Sequence, residues 1–153
     1  MNSFDFYSPT YFVFGRDREN DTGKYVAKFG GSRVLIVYGG QSAKRSGLLD
    51  RVKASVHAAG LYSIELGGVK SNPMSDFVYE ELARREKIDF LVAIGGGSVI
   101  DTAKAIAMGV PYDGDFWDFF SGKTPETALP VGVVLTLAAS GSEGSPNAII
   151  TNE

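Results

Sequence analysis

Cysteine is absent from all 153 residues, which excludes disulfides and thiolate metal sites. Histidine is nearly absent as well, with His57 the single one. A metal centre built on several imidazoles cannot be assembled from one. His57 lies where the apolar side of its helical pattern meets the polar side, and reads as a surface or packing residue. Basic charge is not in excess: 15 Lys and Arg stand against 18 Asp and Glu, a net charge of −3. That balance provides no cationic field for nucleic acid or an anionic membrane. No apolar run reaches the ~18 residues of a membrane span. The opening MNSFDFYSPT lacks the charged-then-apolar order of a signal peptide. The expectation is a cytoplasmic chain with neither nucleic acid nor membrane as partner.

What is present is ordinary for a globular protein. Hydrophobic residues make up 44% and charged residues 22%, and the length suits one domain with a real core. Apolar runs alternate with helical patterns. Tyr11–Phe14 reads as a short aromatic strand ending at Gly15. Residues 20–29 fit a helix stopped by Gly30-Gly31. Arg33–Tyr38 (RVLIVY) is a continuous apolar run, as in a strand buried on both faces. Leu48, Leu49, Val52, Val56 and Ala59 stripe a helix closed by Gly60. Tyr62–Leu66 is the next strand. Asn72-Pro73 opens a turn, and Phe77, Val78, Leu82 and Ala83 stripe another helix. Phe90–Ile94 is a buried strand, Pro130–Leu135 a further one, and 148–150 a last short one. Residues 111–120 read as a loop and a short aromatic helix on the sheet edge. Strands separated by helices imply βαβ units, hence a parallel α/β sheet of the Rossmann-like kind flanked by helices.

The stretch richest in chemistry is FLVAIGGGSVIDTAKAIA, residues 90–107. A buried strand breaks on Gly95-Gly96-Gly97-Ser98, and Val99, Ile100, Ala103, Ile106 and Ala107 then recur at helical spacing. Glycines let backbone approach an anion closely. The first N–H groups of a helix have no internal partner, and the helix dipole favours negative charge there. The spacing departs from GxGxxG, because Ile100 holds the third position. The plainer alternative is a tight strand–helix turn that binds nothing.

Ligands of such sheets sit outside the carboxyl ends of the strands, and two more loops belong to that end. The first is Gly39-Gly40-Gln41-Ser42-Ala43-Lys44-Arg45. An acidic residue closing this strand would hold a ribose hydroxyl and repel a 2′-phosphate, and Gly39 stands in its place. Ser42, Lys44 and Arg45 can supply a hydroxyl and cations to a phosphate. A solvated helix start with a serine cap is the alternative. The second is TLAASGSE, residues 136–143, hydroxyl-rich after a buried strand. It suits the sugar and ring of a ligand, or it is an ordinary polar connection.

GGGSVIDTAKAIA, the Asn72-Pro73 pair and TLAASGSE together resemble the iron-containing (group III) alcohol dehydrogenase family. YGGQSAKRSG resembles its butanol-dehydrogenase-like, aldehyde-reductase branch. The likeness runs through the whole chain with the motifs in the family's order. It implies that residues 1–153 are a dinucleotide-binding domain. The resemblance also implies an all-helical half outside this chain, carrying iron or zinc on one aspartate and three histidines. By position, Gly96, Gly97 and Ser98 would hold the cofactor pyrophosphate. Gly39, Gly40, Gln41, Ser42 and Lys44 would surround the adenosine ribose and its 2′-phosphate. Asn72 would approach the adenosine side, and Thr136 and Leu137 the ribose and nicotinamide. Asp101 belongs to the motif and would favour the first turn of its helix.

The implied reaction is reversible oxidation of a small alcohol to an aldehyde, with hydride passing to NADP or NAD. NADP is the expected cofactor, since no carboxylate closes the strand before Gly40. With one histidine and no cysteine the chain alone should hold no catalytic metal and turn over no alcohol. A stand-alone nucleotide-binding module, or a relative such as a glycerol dehydrogenase or a dehydroquinate-synthase-like lyase, fits the same residues. Self-association, with a homodimer as the expected form, follows from the aromatic edge at Tyr11–Phe14 and the loops that would face a second half.

Overall fold

The computed structural model describes Ser3 and residues 7–69 and 83–150. Strands β1 (Arg33–Tyr38), β2 (Tyr62–Leu66), β3 (Phe90–Gly95) and β4 (Val131–Leu135) form a wholly parallel sheet in the order β2-β1-β3-β4. Helices α1 (Thr22–Lys28), α2 (Ser42–Arg45), α3 (Leu48–Ala58) and α4 (Gly97–Gly109) accompany it. Among the described residues, short 3-10 turns span Arg18–Asp21, Phe116–Phe120 and Ser142–Gly144. No helix among the described residues is long and apolar enough to cross a membrane.

The continuous apolar run of β1 has a direct physical outcome. Val34, Ile36 and Tyr38 pack with Val26 of α1 and with Leu49, Val52 and Val56 of α3. Leu35 and Val37 point the other way, toward Val99, Ile100, Ala103 and Ile106 of α4. Strand β3 divides in the same manner, with Phe90, Val92 and Ile94 on the first face and Leu91 and Ala93 on the second. The two central strands are therefore covered on both faces. Burying each Leu, Ile or Val of this kind stabilises the fold by roughly 1.5–3 kcal/mol. Helix α3 ends as its glycine demands: Gly60 takes φ +75°, and the Leu61 N–H reaches the Val56 carbonyl at 3.2 Å.

Several expectations are corrected. Tyr11–Phe14 is not a strand. The segment is held by its side chains instead: the Tyr11 ring packs 5.9 Å from Tyr25 on α1 and 5.8 Å from Phe29 just past its end, under the Lys28 ammonium. Residues 148–150 are not a strand either, because the Ile149 N–H turns to the Asp101 carboxylate. Strand β4 starts at Val131 and is half-buried rather than buried. Only β3 pairs with it among the described residues. The helix expected at 20–29 begins as the 3-10 turn Arg18–Asp21 and continues as α1. The aromatic turn Phe116–Phe120 buries Phe116 and lies against α4. The Asn72-Pro73 turn and Phe77, Val78 and Leu82 of the following pattern lie outside the described residues; Ala83 is fully buried in the second core face.

Candidate functional site

Strand order decides where the chain's loops meet. Strand β2 lies on one side of β1, and β3, the next described strand in sequence, on the other. Sheets of this kind take ligands where the order reverses, here outside the carboxyl ends of β1 and β3. The register pairs Tyr38 with Ile94 and Gly95 with Leu135. Gly39, Gly96 and Thr136 thus follow the strand ends side by side, and the three loops singled out by sequence stand together. The Thr136 N–H donates to the Gly95 carbonyl at 3.1 Å, tying the third loop to the second.

At the centre is the N-terminus of α4. Gly96 caps it in an extended conformation (φ −98°, ψ −163°) with no side chain bonded to the helix end. The Gly97 and Ser98 N–H groups lie in the first turn, where no intrahelical acceptor exists. Each glycine has its own reason. A Cβ on Gly95 would meet Val99 Cγ2 at 2.6 Å, and one on Gly97 would meet Ser140 Oγ at 2.6 Å. On Gly96 the nearest atom, Leu137 Cβ, lies 4.0 Å away, so that side is open. Ser140, not singled out by sequence, therefore sets its hydroxyl against Gly97 at the helix end. Leu137 is 67% exposed beside it.

The first loop differs from the serine-capped alternative. Ser42 is the first residue of α2, Gln41 precedes it, and no side chain caps the turn. Gly40, Gln41, Ser42 and Lys44 are exposed, and Ala43 anchors the loop in the core. The Lys44 ammonium lies 5.2 Å from the Tyr38 ring centroid. The Tyr38 hydroxyl holds its pKa above the ordinary lysine value, with the Glu65 and Asp50 charges adding to the effect. A Cβ on Gly39 would meet Val99 Cγ2 at 3.4 Å, so the first loop and α4 are near neighbours.

Asp101 is placed differently from the expectation of a first-turn acid. It is the fifth residue of α4, and no acidic residue stands in the first turn. Its Oδ1 accepts from Ser142 Oγ at 2.6 Å, and its Oδ2 from the Ile149 N–H at 3.2 Å. Three residues on, the Lys104 ammonium donates to the same loop. Sequence reasoning missed Lys104. The available signal was its place in the apolar run AKAIA, where a helix has no wet face to offer it.

The family description "Iron-containing alcohol dehydrogenase" matches residues 9–153. The chain belongs to the iron-containing alcohol dehydrogenase family. It is 50% identical over 155 residues to the probable NADH-dependent butanol dehydrogenase 2 of Bacillus subtilis (strain 168), covering 99% of this chain and 40% of that one. It is 37% identical over 159 residues to the NADPH-dependent aldehyde reductase YqhD of Escherichia coli (strain K12), covering 100% and 40%. The crystal structure of NADH-dependent butanol dehydrogenase A from Thermotoga maritima superposes with a TM-score of 0.95 at 42% identity, covering 99% of this chain and 39% of that one. The chain thus spans about 40% of the length of these relatives.

Proposed function

We propose that this chain binds the nicotinamide dinucleotide of an alcohol–aldehyde oxidoreductase. The observation that carries the reading is the uncapped N-terminus of α4, open above Gly96 and set at the point where the strand order reverses. The pyrophosphate lies over Gly96, Gly97 and Ser98, receiving N–H groups and the positive end of the dipole. Gly39, Gly40, Gln41, Ser42 and Lys44 flank the adenosine ribose and its 2′-phosphate. Thr136 and Leu137 flank the other ribose and the nicotinamide. Asn72, outside the described residues, is assigned to the adenosine side by position alone, and Asp101 shapes the loop rather than the ligand. The nicotinamide supplies the hydride acceptor or donor; the chain's own residues bind it and fix its orientation.

The family's name implies iron, and these residues do not fit one. The sequence has a single histidine and no cysteine. No group of three metal-ligating side chains occurs among the described residues. We assign the metal ligands, and with them the polarisation of the alcohol oxygen, to an all-helical half outside residues 1–153. The butanol and aldehyde named for the relatives indicate a small alcohol and its aldehyde as the substrate pair. The expected compartment is the cytoplasm.

Gly97→Val tests the reading. Its side chain would meet the Ser140 hydroxyl and disturb the backbone at the helix end. Calorimetric titration with NADP should show binding by the unmodified chain and its loss in the variant. Equal binding by the two would remove the pyrophosphate from this position.

A further inference from the structure

Helix α4 is largely apolar, yet Lys104 sits in its middle with a side chain only 16% exposed. An ammonium taken out of water needs acceptors for its three N–H groups. Lys104 has three: the Ser142 carbonyl at 2.7 Å, Ser142 Oγ at 2.8 Å and the Asn147 carbonyl at 2.7 Å. Burial holds its pKa below the ordinary lysine value, against the opposing charges of Asp101 and Glu143. Ser142 Oγ passes the connection on to Asp101 Oδ1. The loop is thus fastened to the helix two turns beyond its N-terminus.

The fastening has a consequence at the helix end. The Ser142 N–H donates to Ser140 Oγ at 3.4 Å, and Ser140 is the residue that crowds Gly97. At its other end the loop is tied by Thr136 to the Gly95 carbonyl. Residues 136–142 are therefore suspended between β3 and Lys104, with the open side of Gly96 beneath them.

We propose that Lys104 is a positioning residue: through Ser142 it sets the height of the 136–142 loop over the N-terminus of α4, and so the grip on the nicotinamide half of the dinucleotide. It does this without touching the ligand. The proposal rests on the nucleotide reading above.

Two ligands separate this role from plain stability. NADP engages both halves of the site. Adenosine 2′,5′-bisphosphate carries the adenosine and 2′-phosphate but lacks the nicotinamide nucleotide. Lys104→Met keeps the apolar stem and removes the charge. Titration of the 153-residue chain should show NADP weakened roughly tenfold in the variant, with the bisphosphate changed by less than about twofold. Ser142→Ala should shift the two ligands in the same unequal way by a smaller factor. Amide exchange should quicken at Ser140 and Ser142 in the variant while Val34–Val37 stay protected. NADP binding like the unmodified chain's overturns the proposal. Equal loss for both ligands also overturns it, since that is the mark of general destabilisation. If Lys104→Met fails to fold, Ser142→Ala carries the comparison. If the unmodified chain binds neither ligand, the nucleotide reading itself fails, and the proposal with it.

Discussion

At the end of β1 stands a glycine where a carboxylate would select NAD. The site has room for one: a Cβ on Gly39 would make contacts of 3.4 Å to Val99 and 3.6 Å to the Val69 carbonyl, both of ordinary length. An aspartate there would accept from the ribose hydroxyls of NAD and repel a 2′-phosphate. In its absence Ser42 and Lys44 are exposed on the same loop, and the Tyr38 hydroxyl holds the Lys44 pKa above the ordinary lysine value. One charge-assisted contact of this kind amounts to roughly 1.5–3 kcal/mol, a preference of about tenfold or more. The chain should therefore bind NADP ahead of NAD, and Gly39→Asp should reverse the order. Paired titrations with the two dinucleotides measure both. The relatives are named for both cofactors: the two butanol dehydrogenases, at 50% and 42% identity, are NADH-dependent, and the aldehyde reductase, at 37%, is NADPH-dependent. Tighter binding of NAD by the unmodified chain would remove Ser42 and Lys44 as phosphate contacts.

Strands β1 and β3 enter the sheet over one shared carboxylate. Asp89 accepts from the Ser32 N–H at 2.9 Å, the Arg33 N–H at 2.8 Å and the Ser32 hydroxyl. Partial burial pushes its pKa up, and the Ser32 and Arg33 donors more than offset this, so it stands below the ordinary carboxylate value. A lowered folded-state pKa means that the unfolded chain binds the proton first. The stabilisation is then complete above the unfolded value and lost as pH falls through the folded one. Urea unfolding at several pH values should show stability falling on the acid side. Asp89→Asn should flatten that limb and cost about 1 kcal/mol at neutral pH, a figure reduced for solvent screening. Parallel profiles for variant and unmodified chain would place the acid sensitivity elsewhere. Asp89 marks the limit of what sequence discloses about elements. Strands β1 and β3 were legible because an unbroken apolar run that ends on glycines has few other uses. Tyr11–Phe14 and 148–150 carry the same pattern in three or four residues, and a short run says nothing about whether a neighbouring strand exists. The three loops of the site were legible from the rule that parallel sheets bind at their carboxyl ends. Ser140 against Gly97 and Lys104 beneath Ser142 were not, since each contact joins residues about 40 apart that meet only once the strand order is set.

The molecule as a whole leaves several large apolar side chains exposed. Phe14 is fully exposed, and Phe12 and Ile149 are 67% and 78% exposed. Phe12 adjoins the third loop, its Cζ 3.6 Å from where a Cβ on Gly144 would lie. Among the described residues β4 pairs on one side only, so its outer edge presents unpaired backbone groups. Exposed apolar side chains and an open strand edge each favour association with another chain. The aromatic segment is not itself a strand, so a second copy would be gripped by rings rather than by a strand ladder. We therefore expect the 153-residue chain to self-associate toward a homodimer, and Phe14→Ser to weaken the association. Sedimentation equilibrium at rising concentration, up to ~100 μM where even a weak dimer populates, measures the mass directly. A mass that stays monomeric throughout would show that these side chains do not join two copies. A dimer untouched by Phe14→Ser would move the interface to the β4 edge.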